Sequence, residues 1–259
     1  MLILLAVVAL LASFLTFFSG FGLGTLLSPA FALFFPVQIA IACTAIVHLA
    51  NNLFKLLLVF RHVRWNLFVL FAIPAAIAAS LGAWILLSLG TLPTLLSYSF
   101  WGIYFIVTPI KLIIGSLFIL FAYLELTNKL KNMQFATKYL PLGGIISGFF
   151  GGLSGNQGAF RSAFLMKFNL DKQAFIATGV ISACIIDIFR SAIYFSTINF
   201  KQLSQYDSLE FAIYIAICSA FGGALIGKSL LTKITMKGIQ LTVSIMMMSI
   251  GFALMTGLL

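Results

Sequence analysis

Arg161 stands in the stretch GGLSGNQGAFRSAFL (151–165), just past a run of glycines and between two apolar segments. A guanidinium keeps its charge at any accessible pH and presents a fork of N–H donors, so its natural partner is an anion. Gly151, Gly152, Gly155 and Gly158 allow a sharp turn and a close backbone approach. A helix resuming near Gln157 would aim its N-terminus, with its partial positive charge, into that break. Ser154, Asn156 and Gln157 add neutral hydrogen-bonding groups. The competing reading is that the glycines only permit tight helix packing, and it leaves Arg161 without a role.

Two further groups of residues carry chemistry. In HLANNLFK (48–55), His48, Asn51 or Asn52, and Lys55 are three or four apart and share one helix face. Asp187, Arg190 and Tyr194 do the same further on. Ionisable residues inside apolar spans are costly and generally face a bundle interior or a cavity. Plainer roles stand beside that one: Asp187 and Arg190 neutralising each other, Lys55 snorkelling to a membrane face, His48 as a hydrogen-bonded packing residue. Thr25 and Ser28, in GFGLGTLLSP (20–29), line a second glycine-rich break that carries no charge. Lys111, beside Pro109, is a weaker candidate. Asp187 is the one carboxylate deep in a span, so paired-acid hydrolysis and carboxylate metal sites find little support. Cys43, Cys184 and Cys218 are isolated in apolar segments and read as packing residues. No cofactor or metal is expected.

These residues must be positioned by helices in a membrane. Of 259 residues, 62% are hydrophobic and 8% charged, against an apolar share of about 45–50% in soluble domains. Apolar runs long enough to cross roughly 30 Å of hydrocarbon recur along the chain, and they are continuous rather than alternating, which excludes a β-barrel. The fold class is therefore an all-α polytopic membrane protein. The formal charge of +10 is scattered, so nucleic acid is not an expected partner, whereas membrane lipids are. MLILLAVVALLASF lacks a positive n-region, so a cleaved signal peptide is not expected.

Ten apolar segments can be drawn: 1–18, 20–35, 37–60, 65–90 and 98–124, then 139–150, 157–168, 172–196, 209–231 and 235–258. A polar linker, 125–138, separates a first repeat (1–124) from a second (139–259). HLANNLFK aligns with ACIIDIFR (183–190) at an offset of 135, pairing Asn52 with Asp187 and Lys55 with Arg190, and Gln38 with Gln173. LGA (81–83) meets GGA (222–224) at an offset of 141. Such repeats are a common plan of secondary transporters. If each glycine-broken pair of short segments enters and leaves on one side, ten Lys and Arg residues lie inside and one, Lys201, outside. If each pair is one crossing helix, the split is six to five. The positive-inside rule favours the first arrangement: inverted repeats, both termini outside, with hairpins short enough to be re-entrant.

The motifs GFGLGTLLSPAFALFFP (20–36), TAIVHLANNLFK (44–55), GGLSGNQGAFRSAFL (151–165) and FIATGVISACIIDIFRSAIY (175–194) resemble the sulfite exporter TauE/SafE family of bacterial membrane transporters over nearly the whole chain. The resemblance implies export of a small sulfur-containing anion, such as sulfite, thiosulfate or a sulfonate, across the bacterial cytoplasmic (inner) membrane. The charges agree in sign. An anion leaving a negative interior gains about 2.3 kcal/mol per charge per 100 mV, so export needs no coupled ion, although His48 or Asp187 offers a place for a proton. Alternating access is the expected mechanism, with Arg161 as main ligand. Asn51, Asn52, Asn156 and Gln157 would donate hydrogen bonds, Lys55 and Arg190 would hold the positive potential, and Asp187 would orient Arg190. An anion channel, or an intramembrane enzyme acting on an anionic lipid or phosphate, is the alternative.

Overall fold

The computed structural model describes residues 1–19, 23–127, 137–168, 170–198, 206, 208–229 and 236–259. Gly20, the linker lysines Lys129 and Lys131, and the loop residues Lys201, Asp207 and Lys233 lie outside the described residues. The described elements are helices α1 (Leu2–Ser19), α2 (Leu23–Ala32), α3 (Val37–Val59) and α4 (Trp65–Gly90), strands β1 (Leu96–Phe100) and β2 (Ile103–Val107), and helices α5 (Pro109–Thr127), α6 (Leu140–Ser154), α7 (Gly158–Leu165), α8 (Lys172–Thr197), α9 (Leu209–Ser229) and α10 (Met236–Thr256). Five of them are long and apolar enough to cross a membrane, namely α3, α4, α5, α8 and α9. Their outward faces carry large exposed apolar side chains such as Leu57, Ile77, Trp84 and Phe211, as a surface in lipid requires. The chain is an all-α multi-pass membrane protein.

One segment differs from its sequence reading. The run drawn as a single span over 98–124 begins with an antiparallel hairpin, and its helix starts only at Pro109. Trp101 and Gly102 both have positive φ, +53° and +76°, the pattern of a two-residue type I′ turn. The flanking Tyr, Phe, Ile and Val residues favour strands, and the proline resets the chain at the first helical position.

The glycines in the break also divide their work. Gly151 and Gly152 stay helical, and the turn is confined to Gly155–Gln157, where Gly155 has φ +82° and donates its N–H to the Gly151 carbonyl. That is a left-handed helix cap, which glycine adopts without a Cβ penalty. Close packing accounts for Gly152 and, upstream of the break, for Gly144 and Gly148. A Cβ at Gly144, Gly148 or Gly152 would run into the carbonyls of Phe71, Ala75 or Ala79. That spacing of four residues lets α6 lie flat on α4, and the matching order of contacts shows that the two helices run the same way.

A second close approach occurs twice. Gly82 on α4 meets the Phe149 carbonyl and Leu153 N–H of α6, and Gly223 on α9 meets the Leu10 carbonyl and Phe14 N–H of α1. Gly82 and Gly223 are the two positions aligned by the LGA/GGA match. Helices α3 and α8 run antiparallel: His48 lies opposite Asp187, and the Arg64 N–H donates to Thr178 Oγ1 at 3.0 Å. α5 and α10 are antiparallel too, with Gly115 and Gly251 in mutual contact and Gly115 reaching on to Leu254 and Met255. The functional residues lie where α3, α7 and α8 meet.

Candidate functional site

Asp187 is the hub. It is fully buried on α8, and a carboxylate there needs donors on every side. His48 Nδ1 lies 2.6 Å from its Oδ2, and Asn52 Nδ2 donates to the same oxygen at 3.2 Å. Gln157 Nε2 donates to Oδ1 at 2.8 Å. Arg190, one turn on, adds Nε at 3.0 Å and Nη2 at 2.8 Å. Two helices, α3 and α8, and the break are thereby tied to one side chain. The face shared by His48 and Asn52 and the face shared by Asp187 and Arg190 are brought together as their spacing predicts.

Arg190 does not line the cavity. Its charge is met by Asp187, and its Nη1 donates to the Gly151 carbonyl at 3.0 Å, near the end of α6. Tyr194, one turn further, donates its hydroxyl to the Gly152 carbonyl. Lys55 has a matching place in the first half, donating to the Ser13 carbonyl of α1 at 3.2 Å. It is 2% exposed and points inward, so it does not snorkel. Asn51 reaches the same helix, 2.8 Å from Ser13 Oγ.

Arg161, on α7, donates from Nη1 to the Gln157 amide oxygen at 3.1 Å. Gln157 therefore bridges Arg161 to Asp187, and its own carbonyl accepts from Ser147 at 2.7 Å. Arg161, Lys55, His48 and Asn52 line one small cavity together with Ser162 and Gly179. Gly179 faces Arg161: a Cβ there would lie 3.5 Å from Arg161 Nε, in ordinary van der Waals contact. Asp187 is not part of that wall. With its charge compensated by Arg190 and its second oxygen held by His48 and Asn52, the cavity is lined by Lys55 and Arg161, an arrangement suited to a small anion.

The other expected residues lie behind this wall. Ser154 bonds back to the Phe150 carbonyl at 3.0 Å, and Asn156 donates to Ser154 Oγ at 3.4 Å. The buried Oδ1 of Asn156 and Oγ of Ser28 have no partner among the described residues. Ser28 faces the Gly155 turn, and Thr25 is half-buried on α2. Neither lines the cavity. Lys111 donates to the Ile106 carbonyl at 2.8 Å, next to the hairpin and away from the site. Sequence reasoning missed Ser13, Ser147, Ser162 and Gly179. Only Gly179 left a signal, as a glycine on the helix face that carries Asp187.

The chain is thus a helical multi-pass protein with a small cavity, lined by Lys55 and Arg161, among its packed helices. The family model for the sulfite exporter TauE/SafE matches residues 5–254, and the chain belongs to that family. No curated protein and no solved structure matched the chain.

Proposed function

We propose that the protein exports sulfite, or a closely related small sulfur-containing anion, across the bacterial cytoplasmic membrane by alternating access. The observation that carries this reading is the pairing of Lys55 and Arg161 across one cavity whose nearby carboxylate is already compensated. The family's name points to the same chemistry. Arg161 and Lys55 bind the anion, Asn52 and His48 complete the wall, and Gln157 couples Arg161 to the Asp187 hub. Asn51, Asn156, Ser154, Ser28, Thr25 and Arg190 shape the frame behind it.

Inverted repeats, 1–124 and 139–259 joined by a cytoplasmic linker over 125–138, provide the machinery. The doubled Gly82 and Gly223 contacts support them, as does the antiparallel run of α3 and α8, which are sequence equivalents. The cavity runs from His48 towards Lys55 and Phe175, the end where the α3–α4 connection carries Arg61 and Arg64. By the positive-inside rule that end is cytoplasmic, so the anion loads from the cell interior. The open space of about 20 Å³ suits one water-sized group, so loading requires α7 to move away from α3.

Sulfite efflux from proteoliposomes under an imposed membrane potential tests this. Saturable efflux that rises with interior-negative potential, and falls at least about tenfold in Arg161→Gln, is expected, since a charged hydrogen bond is worth roughly 1.5–3 kcal/mol. Non-saturating currents would indicate a channel instead. Intact wild type with no flux would overturn the substrate assignment.

A further inference from the structure

We infer that the anion is carried together with one proton, held on Nε2 of His48. The inference rests on the transport reading and adds a co-transported species to it. Asp187 accepts from Gln157, Asn52 and Arg190, in addition to its 2.6 Å contact with His48 Nδ1. The amide nitrogens of Asn52 and Gln157 also lie 3.0 and 3.4 Å from Nδ1, but each donates to Asp187. A carboxylate held by that many donors remains an acceptor, so at 2.6 Å Nδ1 carries a hydrogen and donates it. That fixes one nitrogen of the ring, and Nε2 is then the only position whose proton can come and go.

Nε2 makes no hydrogen bond among the described residues. His48 lines the cavity and Asp187 does not, so the ring edge away from Asp187 is the edge turned to the open space. An anion arriving there meets a lone pair if the ring is neutral and an N–H donor if it is charged. Proton and anion therefore raise each other's affinity, and by linkage the effect is reciprocal.

The surrounding charges set the order of events. Lys55 on α3 and Arg161 on α7 are cations that oppose a third positive charge beside them. Asp187 and Arg190 on α8 form a compensated pair, and Cys184 and Tyr194 are the other titratable groups on that helix near the site. The anion offsets the field of Lys55 and Arg161, after which Nε2 takes a proton from cytoplasmic water. When the site opens to the other face, the N–H bond breaks, the lone pair returns to Nε2, and proton and anion leave. A dianion with one proton moves one net negative charge outward, so the membrane potential still drives export.

Calorimetric titration of the purified full-length protein with sulfite, in two buffers of different ionisation enthalpy, counts protons taken up per anion bound. His48→Asn keeps a donor for Asp187 and has nothing to titrate, and His48→Gln serves as a second variant. Wild type is expected to take up close to one proton more than either variant. The affinity advantage of wild type should be about tenfold at pH 6 and vanish by pH 8, within the usual range of coupling between sites. Equal proton uptake in wild type and variants would overturn the inference and leave the transport reading intact. A wild type whose binding heat shows no uptake beyond that of sulfite itself would do the same. No sulfite binding by folded wild type would overturn both.

Discussion

The two halves of the molecule share packing and differ in chemistry. Gly82 and Gly223 make the same backbone contact, and Lys55 and Arg190 each hold a carbonyl on the first helix of their own half. At the position of Asp187 the first half has Asn52. Opposite the break that leads to Arg161, GFGLGTLLSP carries no charge. A second carboxylate at 52 would cancel the field of Lys55 and Arg161. With an amide there, one site is left, positive on one side of the hub and compensated on the other. On the proposed reading of 1–124 and 139–259 as repeats, the scaffold tolerates duplication, whereas the proposed site for one small anion requires that the halves diverge.

Arg190 and Lys55 should respond differently to the same change. Arg190→Met leaves Asp187 buried and short of its charge partner, which should cost about 3–5 kcal/mol of stability. Asp187→Asn should cost a similar amount by stranding Arg190. Lys55→Met removes one donor from a helix carbonyl and should cost only about 1 kcal/mol, while sulfite binding falls sharply. Thermal unfolding in detergent reads the first effect and anion titration the second. Equal losses of stability in Arg190→Met and Lys55→Met would break the division between hub and wall.

The shared packing has its own test. Gly82→Val and Gly223→Val each force side-chain atoms into a neighbouring backbone, and overpacking of this kind costs about 1–3 kcal/mol. Both should lower the unfolding temperature by similar amounts. A fall in only one of them would show that the two contacts are not equivalent.

Much of this was legible in the sequence because membrane spans write themselves in long apolar runs. The faces shared by His48, Asn52 and Lys55, and by Asp187 and Arg190, follow from helical period. The β1–β2 hairpin was hidden because its residues are as apolar as a span, and only Trp101–Gly102 and Pro109 mark its turn and end. The role of Arg190 was half visible: a neutral pair with Asp187 was foreseen, its bond to the Gly151 carbonyl was not. Spacing along one helix cannot say which side of a carboxylate faces a cavity. For the same reason Ser154, Asn156 and Ser28, polar and close to the break, read as ligands although they stand behind the wall.

The most direct test of the central claim, that Lys55 and Arg161 form an anion site, is sulfite-dependent thermal stabilisation of the purified protein. A ligand that binds the folded state at a hundred times its dissociation constant adds about 2.7 kcal/mol. Wild type should show a rise in unfolding temperature that saturates with sulfite and does not occur with an equal concentration of chloride. Arg161→Gln should unfold cooperatively and show no such rise. An equal sulfite-dependent rise in Arg161→Gln would contradict the assignment of the site.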